Sequence, residues 1–287
     1  MGSIRPDPDT VDLAAADRLF AFAAETGQKV RGHTLVWNDA LPGWIKALSP
    51  ADAGRLMDTH VETVLGRYAG RAFAWDVVNE PIAPWDHLPG NLRAGPFLRA
   101  YGEDYISRSF AAARRLDPSA KLVLNEAFTE TDDARGETFR QSFRALLVRL
   151  KDKGTPIDAI GLQCHLKSRA AYDFPRFAAF VAEIADMGYE IHVTELDVDD
   201  GAFPDSVAAR DARVADLYRR FLAAVLPIPA VTVLTFWQLA DHTSWLHYRA
   251  VEKRPGARRR PRPLPFDAAF QRKPAWHAVA DALRVMP

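Results

Sequence analysis

Short apolar segments rich in Val and Ile alternate along this chain with longer segments in which apolar residues recur at helical spacing. This alternation predicts βα units with parallel strands, because a strand covered on both faces is almost continuously apolar whereas a helix buries one stripe. The predicted strands cover residues 30–36, 72–78, 121–124, 159–163, 191–194 and 231–236. The predicted helices cover residues 14–26, 50–67, 96–116, 137–151, 175–187, 205–226 and 268–285. The pattern therefore predicts an α/β fold with about six parallel strands and seven helices.

Length and composition indicate a globular protein with a sizeable core, because the chain has 287 residues, of which 48% are hydrophobic and 26% charged. No linker rich in Pro, Gly or Ser divides it. We therefore predict a single domain over residues 1–287, with a poorly defined segment at 1–12 and a basic, proline-containing loop at 252–263. Basic and acidic residues both number 37, and a net charge of zero favours neither nucleic acid nor a membrane as partner.

Several classes of chemistry and targeting lack support in the sequence. The start of the chain has no apolar stretch of the secretory-signal type, and no run of about 18 apolar residues would span a bilayer. The compartment stays open. Cys164 is the only cysteine, so no internal disulfide can form. No His-Glu-x-x-His spacing and no glycine-rich phosphate loop occurs, so we expect neither a metal nor a cofactor.

Carboxylates close two of the predicted strands. The segment WDVVNE at 75–80 ends in Glu80, and IHVTELD at 191–197 contains Glu195 and Asp197. In parallel α/β barrels the catalytic residues lie at the carboxyl ends of the strands. Two carboxyl groups there are what acetal hydrolysis needs, one as a proton donor and one as an anion facing the oxocarbenium-like centre. A lone strand-end glutamate can also simply pair with an arginine at the rim, and these two residues by themselves leave both interpretations open.

Longer sequence motifs contain or flank these glutamates and follow one another in a fixed order along the chain. They are RGHTLVW at 31–37, WDVVNE at 75–80, KLVLNE at 121–126, IGLQCHL at 160–166, TELD at 194–197, TFW at 235–237, SWL at 244–246 and KPAW at 273–276. From about Asp12 onward this series resembles glycoside hydrolase family 10, the retaining endo-β-1,4-xylanases. The resemblance implies a (β/α)8 TIM-barrel type of fold and a hydrolase whose partner is a polysaccharide or oligosaccharide, β-1,4-linked xylan or xylo-oligosaccharides.

The resemblance also implies roles for individual residues. Glu80 would be the general acid/base and Glu195 the nucleophile of a double displacement. Asn79 would bind the sugar 2-OH, and His165 with Asp197 would orient the nucleophile. The other candidate substrate-binding or orienting residues are Gln163, Asn38, Trp37, His33, Asn125, Trp237, Gln238, Trp245 and Trp85. The alternative for His165 and for the tryptophans at 237 and 245 is that they are packed in the hydrophobic core and do not contact the sugar.

The sequence departs from the family at several places. The family's first two strands have no counterpart, so we predict an incomplete barrel whose open edges, at 30–36 and 231–236, could pair with a second copy. Asn38 stands where the family has a histidine, and Gln238 stands where it has a glycine. Trp85 could wall the leaving-group side of the cleft. These changes leave the two glutamates in place and alter their surroundings.

Two functions of different classes therefore remain open. The first is an active retaining glycosidase, because both carboxylates and the residues expected to support them are present. The second is a non-hydrolytic or repurposed scaffold that binds a carbohydrate or another ligand, because the sugar contacts of the missing strands and the usual histidine are absent.

Overall fold

The computed structural model describes residues 1–253 and 259–284. The chain forms two compact units. Unit 1 comprises Met1–Glu126 and Gln141–Gly161, and unit 2 comprises Ala127–Arg140 and Leu162–Pro287. The single domain over residues 1–287 stays a prediction.

The described residues contain eight strands and ten α-helices. The strands are β1 (Val30–Gly32), β2 (Val36–Trp37), β3 (Ala72–Asn79), β4 (Lys121–Glu126), β5 (Ala159–Leu162), β6 (His165–Lys167), β7 (Glu190–Asp199) and β8 (Val231–Phe236). The helices are α1 (Ala14–Thr26), α2 (Gly43–Lys46), α3 (Pro50–Tyr68), α4 (Pro96–Tyr101), α5 (Asp104–Leu116), α6 (Ala134–Asp152), α7 (Phe174–Asp186), α8 (Val207–Val225), α9 (Trp245–Lys253) and α10 (Pro274–Arg284). Short 3-10 turns cover Pro84–Asp86, Pro89–Asn91 and Asp241–Thr243.

The strands of unit 1 bring three polar positions side by side. Both β1 and β2 pair in parallel with β3, and β3 pairs in parallel with β4. The register places Trp37 beside Asn79 and Asn79 beside Asn125. Since these residues lie at the carboxyl ends of their strands, the strand pairing gathers side chains of candidate function on one edge of the unit.

The strands of unit 2 do the same for a second group. Both β6 and β8 pair in parallel with β7. The register places His165 beside Asp197 and Leu196 beside Phe236. Strand β8 is half-buried over most of its length, and its ladder in the described part of the chain is with β7. Pairing of this edge with a second copy stays a prediction.

All six predicted strands occur, although β7 continues to Asp199 where the prediction ends at residue 194. Two further differences concern the segment 30–36 and β6. The segment 30–36 is interrupted, because the Leu35 N–H and the Thr34 hydroxyl both donate to the Asp76 carbonyl instead of continuing the ladder. This splits it into β1 and β2. The short strand β6 was not predicted, because its three residues are too few for a period to be recognised.

The helices differ more from the prediction. The segment 96–116 is two helices, because Gly102 adopts φ 58°, ψ −152° between α4 and α5. The last helix starts at Pro274 rather than residue 268, in keeping with the preference of proline for a first helical position. Neither α2 nor α9 was predicted. By contrast, α1 has its predicted bounds, and Gly27 ends it in the left-handed conformation at φ 68°.

The two segments predicted to be irregular make specific contacts. Residues 1–12 contain no helix or strand, but Arg5 is buried and donates to His60 Nδ1 at 3.2 Å. Of the loop predicted at 252–263, residues 252 and 253 belong to α9, and 254–258 lie outside the described residues. Arg259 pairs with Asp205 at 2.6 Å and Arg262 with Asp211 at 2.7 Å. Within the described ranges, no helix is both long and apolar enough to span a bilayer.

Candidate active site

Glu80 lies in unit 1 directly after β3. Its N–H donates to the Asn125 carbonyl at 2.8 Å, which ties it to the end of β4. Its carboxylate oxygen Oε2 accepts from Trp37 Nε1 at 3.2 Å and from Arg93 Nη2 at 3.0 Å. The side chain is 15% exposed. Two donors therefore hold one carboxylate oxygen in a largely buried place.

Arg93 makes a second contact with the same residue. Its Nε donates to the Glu80 carbonyl at 2.7 Å, and its Nη1 lies 3.3 Å from Asp39 Oδ2. The guanidinium also stacks on the Trp85 ring at 5.4 Å from the centroid. Glu80 thus does pair with an arginine, as one interpretation of the sequence held. That arginine is buried beneath Trp85, which is 43% exposed, rather than lying free at a rim.

Asn79 and Asn125 form a buried amide pair at the ends of β3 and β4. Asn125 Nδ2 donates to Asn79 Oδ1 at 2.8 Å. Because one amide oxygen accepts this bond, the amide nitrogen of Asn79 is turned the other way. The neighbouring Glu126 is also buried, and its Oε2 accepts from the Ile82 N–H at 3.0 Å, which fixes the chain just after Glu80.

His33 belongs to a charged cluster under β3. Its Nδ1 lies 2.8 Å from Oδ2 of Asp76, and the Arg31 guanidinium forks onto both oxygens of the same carboxylate. Burial by itself would raise the pKa of Asp76, but the charges of Arg31 and His33 outweigh it and hold the pKa below its usual range. The described contacts of His33 thus point to support of the strands.

Asn38 is packed at the start of α4. Its Oδ1 accepts from the Phe97 N–H at 3.2 Å, and the residue is 5% exposed. Gly95 lies directly against it, so that a Cβ on Gly95 would come within 2.2 Å of that oxygen. Asn38 therefore holds α4 against the end of β2, and contact with a sugar stays a prediction for this residue.

Glu195 lies in unit 2, within β7, and one histidine links it to Asp197. His165 Nε2 lies 3.1 Å from Glu195 Oε2, and His165 Nδ1 lies 2.8 Å from Asp197 Oδ1. Both carboxylates are buried. Burial by itself would lower the pKa of His165, but the charges of Asp197 and Glu195 outweigh it and raise the pKa to about 10. At neutral pH a cationic imidazole therefore lies between the two carboxyl groups.

Two tryptophans and Gln238 complete this group. Trp245 Nε1 donates to Asp197 Oδ2 at 2.6 Å, and its ring centroid lies 5.1 Å from that of His165. The Trp237 ring lies edge-on to His165 at 6.3 Å. Gln238 adopts φ 86°, the conformation that a glycine tolerates best, and its Oε1 accepts from the Trp245 N–H at 3.3 Å. The glutamine thus holds the first residue of α9, which is Trp245.

The main chain of Gln163 supports Glu195, and Cys164 follows Gln163 directly. The Glu195 N–H donates to the Gln163 carbonyl at 3.0 Å, and the Gln163 side chain is buried. Cys164 follows with φ 57° and is 1% exposed. Burial raises the pKa of the Cys164 thiol well above its usual value. The thiol is therefore unsuited to act as a nucleophile.

Some residues of these two groups were not found from the sequence. Asp76 and Arg31 could have been found, because charged residues inside apolar strand phrases are buried and need a partner. Arg93 carries no comparable signal, since it lies 13 positions from Glu80 in an irregular loop.

Glu130 is buried with Oε2 unpaired in the described part of the chain, and burial raises the pKa of its carboxyl. No cluster of three or more His, Cys, Asp or Glu side chains suited to a metal occurs among residues 1–253 and 259–284.

Comparison with solved structures identifies the fold. The chain is similar to native xylanase 10B from Thermotoga maritima, with a TM-score of 0.83 and 28% identity over 99% of this chain and 83% of that one. It is equally similar to xylanase 10B from Thermotoga petrophila RKU-1 in complex with xylobiose, with a TM-score of 0.83 and 28% identity over 99% and 82%. This confirms the predicted α/β fold of the (β/α)8 TIM-barrel type.

Comparison of sequences identifies relatives that are also named as xylanases. The chain is 34% identical to a Beta-1,4-xylanase of Dictyoglomus thermophilum, over 96% of this chain and 77% of that protein. The model of the family described as "Glycosyl hydrolase family 10" matches residues 1–282, so that the resemblance extends past Asp12 to the first residue. The ordered phrases, the fold and this match agree, and the chain belongs to glycosyl hydrolase family 10.

Proposed function

We propose that this glycoside hydrolase cleaves β-1,4-linked xylan or xylo-oligosaccharides by double displacement, with Glu195 as nucleophile and Glu80 as general acid/base. In this mechanism Glu195 attacks the anomeric carbon while Glu80 protonates the leaving oxygen, and Glu80 then deprotonates the water that releases the sugar. The mechanism requires the two carboxyl groups to come within about 5 to 5.5 Å of one another.

The observation that carries the proposal is the link from Asp197 through His165 to Glu195. A nucleophilic carboxylate must be ionised and held still. His165 supplies a half-buried positive charge 3.1 Å from Glu195, and Asp197 fixes the orientation of the imidazole ring.

The group around Glu80 supports the complementary role. The carboxylate is largely buried but not sealed, so that it can meet a glycosidic oxygen. Asn79 lies one residue before it, and the bond from Asn125 aims the Asn79 amide nitrogen away from β4. In the proposed mechanism that nitrogen donates to the sugar 2-OH, a contact that strengthens in the transition state.

The aromatic side chains would bind sugar rings. Trp237 and Trp245 are half-buried beside His165, and Trp85 is the most exposed tryptophan near Glu80. A pyranose presents an apolar face that suits an aromatic ring. We assign the first two tryptophans to the sugar held at Glu195 and Trp85 to the leaving-group side. In this proposal Gln163 is a polar contact near the same centre.

The test is hydrolysis of xylohexaose by the wild type and by Glu195→Gln, with Glu190→Gln, at the first residue of β7, as a matched control. We expect Glu195→Gln to lose nearly all turnover and Glu190→Gln to retain it. Proton NMR of the first product should show the β-anomer, because double displacement retains configuration. Equal turnover of wild type and Glu195→Gln would refute the role of Glu195, and an α-anomer would refute the mechanism.

The same experiment separates this function from the non-hydrolytic alternative. The compared proteins are named as xylanases, which does not favour a scaffold without activity. Binding of xylohexaose by the wild type without release of shorter sugars would nevertheless establish a binding protein. Light scattering of the same sample tests the predicted self-association through the open edges.

A further inference from the structure

We propose that Arg93 is a positioning residue that sets the geometry of Glu80 for proton transfer. This inference rests on the proposed role of Glu80 as the acid/base. The contacts of Arg93 with Glu80 carry it.

Arg93 binds both the main chain and the side chain of Glu80. Nε donates to the carbonyl oxygen at 2.7 Å and Nη2 donates to Oε2 at 3.0 Å. A guanidinium presents its donors in a rigid planar fork, so two bonds to one residue fix the angle between its carbonyl and its carboxylate. The side chain of Arg93 is only 7% exposed, so water competes little for these hydrogen bonds.

The main chain of Glu80 needs such support. It adopts φ 50°, in the left-handed region that is uncommon for a residue with a Cβ. Such conformations persist only where surrounding contacts impose them, and they concentrate at functional sites. The Glu80 N–H is held by the Asn125 carbonyl, and its C=O is held by Arg93. Together these two bonds fix the direction in which the side chain leaves the strand.

Arg93 is itself held in place. Its Nη1 lies 3.3 Å from Asp39, its Nη2 also reaches the Ile82 carbonyl at 3.4 Å, and Trp85 covers its face. The fork therefore cannot swing away when Glu80 changes its protonation state. A positioning residue must have this property, because its effect is lost if it moves with the group that it orients.

A second donor acts on the same carboxylate oxygen as Arg93. Oε2 accepts N–H bonds from both Trp37 and Arg93. Trp37 comes from β2 and Arg93 from the loop after β3, so the carboxylate is held from two separate parts of the chain.

The test compares two substrates that differ only in how much they need an acid. Phenyl β-xylobioside has a poor leaving group, whereas 2,4-dinitrophenyl β-xylobioside leaves without protonation. We expect Arg93→Met to lower kcat/KM by about 10²-fold on the phenyl substrate, the order of loss that follows from misplacing a catalytic group. On the dinitrophenyl substrate we expect a change of less than about 3-fold, since the acid is not used there.

Two further variants make the result specific. Arg93→Lys keeps the charge but cannot bridge two acceptors in one plane, so its ratio of the two kcat/KM values should lie between those of the wild type and Arg93→Met. Arg99→Met is the matched control, because Arg99 lies nearby on α4 but donates to the Lys46 carbonyl at 3.1 Å. We expect Arg99→Met to leave the ratio unchanged.

The outcomes separate this inference from the proposed function. An unchanged ratio in Arg93→Met, or equal losses on both substrates, overturns the positioning role. If Arg93→Met does not fold, Arg93→Lys decides, and a wild-type ratio in that variant overturns it. Glu80→Ala is measured in parallel. If Glu80→Ala shows no dependence on the leaving group, the acid/base assignment itself fails.

Discussion

The indole N–H of Trp245 contributes a measurable part of the stability of unit 2. It donates to Asp197 Oδ2 at 2.6 Å, and Asp197 is 1% exposed, so water cannot replace the bond without local opening. Trp245→Phe removes the N–H but keeps an aromatic ring beside His165. Hydrogen bonds to charged groups contribute about 1.5–3 kcal/mol, and we expect the free energy of unfolding to fall by that amount.

A matched substitution separates the hydrogen bond from the smaller ring. Trp276 on α10 contacts His277 and Arg272, and no acceptor for its N–H occurs in the described part of the chain. Trp276→Phe should therefore cost no more than about 0.5–1 kcal/mol, the effect of lost area. The assay is equilibrium unfolding in urea at pH 7, with the denaturant slope checked for equality among the three proteins. Equal losses in the two variants would refute the argument that the bond to Asp197 matters.

Three further predictions concern other polar groups of the two units. The pKa of His165 is raised to about 10 in the folded chain. The charged imidazole therefore stabilises the fold fully below pH about 6.5, and this stabilisation is lost as the pH rises toward 10. The difference in unfolding free energy between the wild type and His165→Gln should shrink over that pH range. Asp76→Asn leaves the Arg31 charge without its buried partner and should cost about 3 kcal/mol in urea unfolding; a loss below about 1 kcal/mol would contradict a buried ion pair. Asn79→Ala and Asn125→Ala should not be additive, because they share one bond; a double-mutant cycle should give a coupling of about 0.5–1.5 kcal/mol, and simple additivity would argue against that bond.

The parts of the fold that could be predicted from the sequence have local causes. Gly27 ends α1 where expected, and Ser49 caps α3 with Pro50 at the first helical position. The parts that could not be predicted depend on contacts far apart in the chain. The strand break after β1 depends on the Asp76 carbonyl, more than 40 positions from its donors Thr34 and Leu35. No periodicity within a short window contains that information.

The candidate site could likewise be predicted only in part from the sequence. The phrases around Glu80 and Glu195 indicated which residues to expect, and the register of the strands brings His165 to Asp197. The sequence did not indicate that Asn38 would be held by the main chain of α4, since a polar residue after a strand looks the same whether it faces a ligand or a helix. Arg93 was missed for a related reason, because an arginine in a loop is usually solvated.

Cys164 offers a way to observe motion directly beside these residues. It is the only cysteine in the sequence, it is buried, and its neighbours along the chain are Gln163 and His165. A thiol reagent can react with it only while the surrounding core is transiently open. The rate of modification in the native protein would therefore report the frequency of that opening, and its slowing by a bound sugar would measure how strongly ligand closes this part of the molecule, with no engineered label.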